Sequence, residues 1–373
     1  MSSRLLGRIE TIARAAFARV ATLGRRRRPG LPQRILVAHH LFLGDTLMLT
    51  PLLAKIRQRW PDADVTMTVP AAFLPLYATR PYRVRALAFE PKEAASLRTL
   101  WCEAGFDLAL VPGDNRFSWL AAAMGARWIV AFAGDRPGYK SWPVDELRDY
   151  PAVPTAWGDA VAGLIDGEEP RPYSLADWPA PAAGDFARPA TPYAVLHVGA
   201  STPLKLWPPE RWLTLARKLE QAGLCIVWSG GRGEQRIVES IDPLQSYVSY
   251  AGRLDLAQLW HLVAGAALLV CPDTGIAHLG RIVGTPTVTL FGPGSATICG
   301  RGRFWRNAPY LGLGAEPFEC RNQHVLFKRE IAWVERCGRS TRECPYPRCM
   351  DRLDLDEVLR QALVLVNDTV PLA

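Results

Sequence analysis

Short apolar segments alternate with longer amphipathic ones along this chain, and that alternation constrains its fold more than any other feature. RILVAHH and DVTMTV are typical of buried strands, and DTLMLTPLLAKIRQRWP between them predicts a helix. FDLALVPG followed by NRFSWLAAAMGA repeats the pattern. Because buried strands joined through helices form parallel sheets covered on both faces, the pattern indicates an α/β protein.

The same alternation restarts after a passage rich in proline and alanine. This passage, EEPRPYSLADWPAPAAGDFARPATP, has little periodic signal and many helix breakers, so we place a domain junction near residues 170–192. Beyond it, the predicted strands are YAVLHVG, LCIVWSGG, ALLVCP and TPTVTLFG, and helices are predicted between them. We therefore expect two Rossmann-like, doubly wound domains that face a central cleft, with ligands at the carboxyl ends of the strands.

The predicted domain bounds follow from this junction. At 373 residues, 49% hydrophobic and 21% charged, the chain is long enough for two domains with full cores. The predicted parts are a basic amphipathic leader at 1–33, an N-terminal domain at 34–175, a linker at 176–192, a C-terminal domain at 193–350 and a C-terminal helix at 351–373.

The leader combines an apolar stripe with most of the net positive charge. Residues 1–30 hold eight arginines against Glu10, out of a net charge of +8, so the basic pI does not imply a nucleic-acid partner. No run reaches the roughly 20 apolar residues of a spanning helix, and arginines interrupt any secretory signal. At about 100° per residue one face collects Leu5, Leu6, Ile9, Ile12, Ala13, Ala16, Phe17, Val20 and Leu23.

This amphipathic pattern suits the surface of an anionic membrane. Two alternatives stay open for the leader: a helix that packs on its own protein, and a frayed segment whose arginines keep it soluble.

The stretch CPDTGIAHLGRIVGTPTVTLFGP places polar residues at the predicted start of a helix. There, Asp273, Thr274 and Gly275 lie beside backbone N–H groups that have no intrahelical partner, which predicts an anion site. Gly275 lets backbone approach a phosphate, Thr274 adds a hydroxyl donor, and Asp273 accepts from sugar hydroxyls. The alternatives are a simple N-cap at Asp273 or Thr274 and a half-buried His278 bonded to its own surroundings.

Two further loops follow predicted strands. HVGASTPLKLWPPERW contains Ser201 and Lys205, and a lysine in a loop rich in hydroxyls and glycine suits a diphosphate, although an isolated lysine is more often a solvated surface residue. In HHLFLGDTLMLTP, Asp45 is the only carboxylate of its loop, which makes it either a helix cap or a general base.

Taken together, these segments resemble glycosyltransferase family 9, the ADP-heptose:lipopolysaccharide heptosyltransferases. The similarity covers most of residues 34–360 and includes the specific pattern Asp-Thr-Gly-x-x-His, then Gly-x-Pro, then Phe-Gly. It implies a GT-B fold, with the acceptor on the N-terminal domain and the nucleotide-sugar donor on the C-terminal one.

The resemblance also implies a role for individual residues. Asp45 resembles the base that deprotonates the acceptor hydroxyl. The residues that the resemblance assigns to the donor are Ser201, Lys205 on the diphosphate, Glu234 of GGRGEQR on the ribose, Asp273 on sugar hydroxyls, Thr274 and Gly275 as backbone donors to phosphate, and His278.

The implied activity is inverting, metal-independent transfer of heptose, or a related sugar, from ADP-heptose to a lipid-linked saccharide, with no cofactor. The leader would hold the enzyme on the inner face of the cytoplasmic membrane. A protein O-heptosyltransferase of the same family and a nucleotide-sugar epimerase of related fold stay as alternatives. An NAD-binding oxidoreductase fits less well, because SGGRGEQR lacks the full G-x-G-x-x-G spacing. His39, His40, Gly280 and Arg281 depart from the family's usual residues.

Two groups of cysteines receive different predictions. Cys225 and Cys271 lie in predicted core strands and are expected to be buried hydrophobic residues. The C-terminal cysteines have a spacing that fits no standard zinc module, so structural thiols are favoured over a metal site, although some protein-modifying relatives bind iron through such residues. This second group is Cys320, Cys337, Cys344 and Cys349.

Overall fold

The structure is a computed structural model that describes residues 3–22, 24, 26–190, 192–314 and 318–369. Parts of the predicted leader (1, 2, Leu23 and Arg25), linker (191) and C-terminal helix (370–373) lie outside these residues. The chain divides into two compact units. Unit 1 comprises Met1–Arg171, Asp177–Pro179 and Val325–Trp333, and unit 2 comprises Pro172–Ala176, Ala180–His324 and Val334–Ala373.

Unit 1 is built on a parallel sheet of six strands within the described residues. Its strands are β1 (Arg34–Val37), β2 (Asp64–Val69), β3 (Val84–Ala88), β4 (Leu108–Val111), β5 (Trp128–Phe132) and β6 (Glu146–Arg148). Its helices are α1 (Ser3–Ala21), α2 (Leu43–Leu47), α3 (Thr50–Arg59), α4 (Ala94–Trp101), α5 (Phe117–Ala123) and α6 (Trp157–Val161). The strand order β3-β2-β1-β4-β5-β6 puts the topological switch point between β1 and β4.

Unit 2 repeats this topology with its own sheet. Its strands are β7 (Tyr193–His197), β8 (Cys225–Ser229), β9 (Val248–Ser249), β10 (Leu268–Pro272), β11 (Thr287–Phe291) and β12 (Tyr310–Gly314). Its helices are α7 (Pro209–Gln221), α8 (Gln235–Ile241), α9 (Leu256–Ala264), α10 (Gly275–Val283), α11 (Ala296–Cys299), α12 (Arg348–Asp351) and α13 (Leu355–Thr369). The order β12-β11-β10-β7-β8-β9 puts the switch point between β7 and β10. The two parallel α/β sheets confirm the predicted fold class.

Helix α7 illustrates how the sequence pattern produces the packing. It begins at Pro209, whose fixed φ suits the first helical position. Its buried residues recur at intervals of three, one and three: Trp212, Leu215, Ala216 and Leu219. They join the unit 2 core, which also contains residues of β7 and β8. The apolar face of the helix therefore covers one face of the sheet.

Several elements differ from the prediction. The single helix expected in DTLMLTPLLAKIRQRWP is two helices, α2 and α3, and Pro51 lies in the first turn of α3. Proline cannot donate the backbone hydrogen bond that a continuous helix needs there, so a helix start is the position it tolerates. Strands β3, β5, β6, β9 and β12 had no separate prediction.

A short hairpin late in the chain belongs to unit 1. Its strands are β13 (Val325–Leu326) and β14 (Arg329–Glu330), which pair antiparallel. The segment Val325–Trp333 clusters with unit 1, although the chain before and after it belongs to unit 2. No periodic pattern in the sequence indicated that the chain goes back to unit 1 at this point.

The two strand cysteines differ. Cys271 is fully buried in β10, as predicted, and burial raises the pKa of its thiol to about 12. The prediction for Cys225 was wrong, because its side chain is exposed. Cys225 is the first residue of β8, before the buried part of that strand begins.

Candidate active site

The predicted donor residues follow the carboxyl ends of β7, β8 and β10, and β7 and β10 are the adjacent strands at the switch point of unit 2. Strand β7 leads into a 3-10 turn, Pro203–Lys205, and β10 ends one residue before Asp273. Lys205 Nζ lies 2.9 Å from Asp273 Oδ2 and donates to the Asp273 carbonyl at 2.6 Å. Two residues predicted from separate motifs therefore meet at this edge of the sheet.

The surroundings of this ion pair hold it in place. Asp273 is only 5% exposed, whereas the Lys205 side chain is 21% exposed. A lysine that bonds a buried carboxylate and still reaches solvent has a fixed position and an accessible charge. An incoming anion would therefore meet a preplaced ammonium group.

The loop after β11 passes close to Asp273 at Gly294. A Cβ added at Gly294 would overlap the Oδ2 atom of Asp273, so the loop can approach this carboxylate only with glycine there. Sequence reasoning missed Gly294. The signal was the Gly-Pro-Gly run directly after a predicted strand.

The N-terminus of α10 begins beside the ion pair. Thr274 is the N-cap residue, with extended backbone, but its side chain makes no capping hydrogen bond. Within the described residues its hydroxyl is buried and has no hydrogen-bond partner. Neither side chain acts as a simple N-cap, because the Thr274 hydroxyl bonds no backbone amide of α10 and the Asp273 carboxylate bonds Lys205. The Thr274 hydroxyl and the first-turn amides, which start at Gly275, are hydrogen-bond donors of the kind that binds anions at helix N-termini.

Glu234 lies at the same edge, after β8. It precedes α8, and its carboxylate accepts a hydrogen bond from the backbone N–H of Gly231. A Cβ added at Gly199, in the loop after β7, would overlap the Glu234 carboxylate. The loops after β7 and β8 are therefore in direct contact. Ser201, in the first of these loops, is exposed.

His278 and Arg281 form a buried pair on α10. Arg281 is 1% exposed and donates to His278 Nδ1 and to the carbonyls of Gly300 and Cys299. Burial, with the charges of Arg281 and Lys205, lowers the pKa of His278 well below its ordinary value. His278 is thus a neutral imidazole bonded to its own surroundings.

Arg281 was noted in the sequence only as a departure from the family pattern. Its guanidinium lies 4.9 Å from the ring centre of Trp305 and 4.8 Å from that of Tyr310. Burial lowers the pKa of Arg281, and aromatic faces and carbonyl acceptors surround the cation.

Asp45, the predicted base, lies in unit 1 in the first turn of α2, directly after β1. It is partly buried, and it is not the N-cap, which is Phe42. Burial raises the pKa of Tyr150 to about 12, and the negative charge of Asp45 adds to this rise. Asp45 follows β1, one of the two strands at the switch point of the unit 1 sheet.

Strands β4 and β5 lead into a buried ionic group that sequence reasoning missed. Lys140 Nζ lies 2.9 Å from both Asp114 Oδ1 and Asp135 Oδ1. Burial alone would raise the pKa of Asp114, but hydrogen bonds from Arg116 and Lys140 outweigh it and lower that pKa to about 2. Arg329, from the β13–β14 hairpin, donates to Asn115 Oδ1 at 2.6 Å. These charged groups lie at the carboxyl ends of β4 and β5, the same edge of the sheet that carries Asp45.

The C-terminal cysteines are free thiols. Cys349 is buried, and Cys320, Cys337 and Cys344 are partly exposed. Burial raises the pKa of Cys349. In the part of the chain that the structure describes, no group of three or more His, Cys, Asp or Glu residues is arranged to hold a metal ion.

Known proteins share this sequence pattern and fold. The sequence model of glycosyltransferase family 9 (heptosyltransferase) matches residues 95–310. A curated relative, lipopolysaccharide heptosyltransferase 1 of Pseudomonas aeruginosa, is 24% identical over 90% of this chain and 99% of its own length.

Two solved proteins have the same fold. The E. coli ADP-heptose LPS heptosyltransferase II superposes with a TM-score of 0.66 at 18% identity, over 90% of this chain and 99% of that one. E. coli heptosyltransferase WaaC with ADP has a TM-score of 0.60 at 18% identity, over 75% and 93%. WaaC has also been solved with ADP-2-deoxy-2-fluoro heptose. These likenesses establish the GT-B fold.

Proposed function

The chain belongs to glycosyltransferase family 9, the heptosyltransferase family, and from this membership we propose that it transfers heptose from ADP-heptose, with inversion, to a lipopolysaccharide core or another cell-envelope acceptor. One observation carries the proposal: Lys205 Nζ meets Asp273 Oδ2 at 2.9 Å, at the unit 2 switch point and beside the first turn of α10. That is where open α/β sheets bind nucleotides. A WaaC structure that contains an ADP-heptose analogue supports the donor class.

The donor residues would act on charge that develops during transfer. As the bond between sugar and diphosphate breaks, negative charge grows on the leaving oxygen, and fixed donors there lower the barrier. Lys205, the Thr274 hydroxyl and the amides from Gly275 onward would stabilise that charge. Glu234 would hold the ribose and Asp273 the sugar hydroxyls, with Ser201 and His278 completing the site. Since Lys205 and the amides at the start of α10 supply positive charge, the proposed reaction requires no metal and no cofactor.

Asp45 would act as the general base. Inverting displacement forms the new glycosidic bond as the diphosphate leaves from the opposite face of the sugar, and the acceptor hydroxyl must lose its proton. A carboxylate after β1, at the switch-point end of its sheet, is suited to receive that proton. Asp45 therefore has a different task from the donor residues, and the two can be separated by experiment.

The acceptor distinguishes the alternatives. A protein O-heptosyltransferase would use the same donor site and base on a serine or threonine side chain. A nucleotide-sugar epimerase would need the donor site but no acceptor. The lipopolysaccharide assignment of the Pseudomonas relative favours a lipid-linked saccharide.

The proposed location is the inner face of the cytoplasmic membrane, where residues 1–30 would bind anionic lipid. No helix in the described ranges has the length and apolar character to cross a bilayer. The excess of arginine in this segment gives it the charge to bind anionic headgroups.

The donor half of the proposal is tested by titrating ADP, UDP and GDP calorimetrically into the wild type, Lys205→Ala and a control, Lys218→Ala, on the exposed side of α7. Because a charge-assisted hydrogen bond contributes about 1.5–3 kcal/mol, ADP affinity should fall about 10- to 100-fold in Lys205→Ala only. Tighter binding of UDP or GDP would overturn the donor assignment. Absence of nucleotide binding would overturn the whole site.

The base is tested in Asp45→Asn, which keeps the shape of the side chain. ADP should bind as in the wild type, while transfer from ADP-heptose to delipidated core oligosaccharide should fall about 10²- to 10⁴-fold. Unchanged transfer would remove Asp45 from the mechanism. Transfer to a polypeptide in place of the oligosaccharide would favour the protein-modifying alternative.

A further inference from the structure

Helix α1 packs on unit 1 through its small residues and exposes its large apolar ones. A Cβ added at Gly7 would lie 2.6 Å from Leu97 Cδ1 of α4, and Ala15 is fully buried in the unit 1 core. Amphipathic helices of soluble proteins pack the other way, apolar face inward. The exposed fractions on the outer face are Leu5 46%, Leu6 44%, Ile9 51%, Ile12 52%, Phe17 78% and Val20 72%.

Polar contacts hold α1 in this orientation. Arg19 lies 3.0 Å from Asp145 Oδ2, and Arg26 lies 3.0 Å from Asp145 Oδ1. In the N-terminal half of the helix, Trp101 Nε1 donates to Glu10 Oε1 at 2.9 Å. Glu10 and Arg19 of α1 therefore bind unit 1, and the apolar stripe is held toward solvent. The helix therefore packs on its own protein, as one of the alternatives for the leader expected, but it does so without burying its apolar stripe.

A turn with exposed aromatic side chains lies beside α1. Arg19 also donates to the Pro143 carbonyl, one residue after Trp142. Trp142 is 75% exposed and Tyr139 is 54% exposed, and their ring centres are 6.4 Å apart. Trp119 Nε1 of α5 donates to the Tyr139 carbonyl at 3.1 Å, which fixes the turn to the element on which α1 packs. Tryptophan and tyrosine are the residues that concentrate at membrane interfaces.

The charges around these apolar groups identify the partner. Arg8 and Arg27 are exposed on or just after α1, and Arg136 is exposed in the chain just before the aromatic turn. Positive charge bordering an apolar face matches anionic headgroups above acyl chains. A protein partner would not require this arrangement.

We propose that α1 and the turn that carries Tyr139 and Trp142 form one docking surface for an anionic lipid bilayer, and that α1 stays packed on unit 1 when it binds. This inference rests on the membrane attachment proposed above and deepens it. The lipid surface contacts unit 1 itself, outside residues 1–30, so membrane binding would orient the unit that carries Asp45.

The test uses full-length protein and vesicles of phosphatidylglycerol and phosphatidylcholine in about equal parts. Flotation is measured for Phe17→Ser, Trp142→Ser and a control, Leu244→Ser, which removes a side chain that is 85% exposed on unit 2. Each of the first two should lower the vesicle partition coefficient about tenfold, as expected for losing one inserted side chain, and the control should not. Raising the salt concentration should weaken binding of the wild type.

Lipid contact by the turn is measured separately with acyl-brominated lipids, which quench inserted tryptophan. Trp142→Phe should still float with the vesicles but lose most of the quenching. Hydrogen exchange across Phe117–Ala123 should be unchanged by vesicles, because undocking of α1 would expose this helix. Faster exchange there would overturn the claim that α1 stays packed.

The outcomes separate the two proposals. If Phe17→Ser releases the protein and Trp142→Ser does not, attachment through residues 1–30 stands and the combined surface is wrong. If neither variant changes flotation, membrane attachment through this segment is wrong as well, whereas the ADP titration is unaffected. If the wild type is a dimer that both variants convert to monomer, without vesicle binding, a second copy covers this face and the inference is overturned.

Discussion

At the residue scale, two glycines decide where the donor carboxylates lie. Gly199 leaves space for the Glu234 carboxylate and Gly294 leaves space for that of Asp273. Both are close approaches between loops that follow different strands. The charged residues of the site were predicted from their chemistry. These glycines matter because they have no side chain, which leaves the space that each carboxylate occupies.

Replacing Gly294 with alanine should displace Asp273 and, with it, Lys205. We expect ADP-heptose affinity to fall about tenfold or more, as for the loss of one or two polar contacts, with the urea unfolding midpoint nearly unchanged. Gly163→Ala is the matched control, since a Cβ there meets no atom within 4 Å. Calorimetry with both variants checks this, and equal affinities would show that the loop relaxes around the added methyl group.

At the scale of elements, one hairpin is held by one buried arginine. Arg329 of β14 is 2% exposed and bonds Asn115 Oδ1, the Ala133 carbonyl at 2.9 Å and the Phe327 carbonyl at 2.9 Å. These acceptors follow β4 and β5 or belong to the hairpin itself. The guanidinium plane can satisfy several of them together, which lysine cannot.

Arg329→Ala should free this hairpin and destabilise unit 1 by about 2–4 kcal/mol, because buried acceptors lose a donor and the carboxylate of Asp135 loses an ion pair. Limited proteolysis followed by mass spectrometry should find faster cleavage within residues 325–333. The neighbouring Lys328→Ala, whose side chain is 58% exposed, should behave as the wild type. Equal cleavage of both variants would contradict the role of Arg329.

For the whole molecule, buried histidines determine how stability depends on pH. Burial lowers the pKa of His39 in unit 1 to about 3 and that of His197 in unit 2 to about 4, and it lowers that of His278 as well. The backbone N–H of Leu41 donates to His39 Nδ1 at 3.3 Å, which requires an unprotonated nitrogen there. Each is therefore neutral in the fold and takes up a proton on unfolding in mild acid.

Folding stability should therefore be full above about pH 6.5 and be lost as the pH falls below it, since the unfolded chain binds the extra protons first. Between pH 7 and pH 5 we expect a loss of about 2 kcal/mol for each of His39 and His197. Urea titrations at the two pH values measure it, and His197→Asn should reduce the loss by about that amount. An identical loss in the variant would show that His197 does not contribute.

Much of the fold and the polar groups of the site could be predicted from the sequence. Strand β10 and helix α7 could be predicted from the spacing of apolar residues alone, because that spacing depends on local burial. Lys205 and Asp273 were predicted from separate loops, and the structure brings them together, while their roles stay predictions. Strand β9, two residues long, carries too little pattern to identify.

The sequence by itself determined the strands β1, β2, β4, β7, β8, β10 and β11, and which loops carry charged and hydroxyl side chains after the strands. Only the tertiary structure decided that Arg329 returns to unit 1, that Gly294 admits Asp273, and that α1 turns its apolar stripe outward. The physical reason is that hydrophobic period and loop chemistry are local properties of the chain. Which surfaces meet depends on packing between residues far apart in sequence.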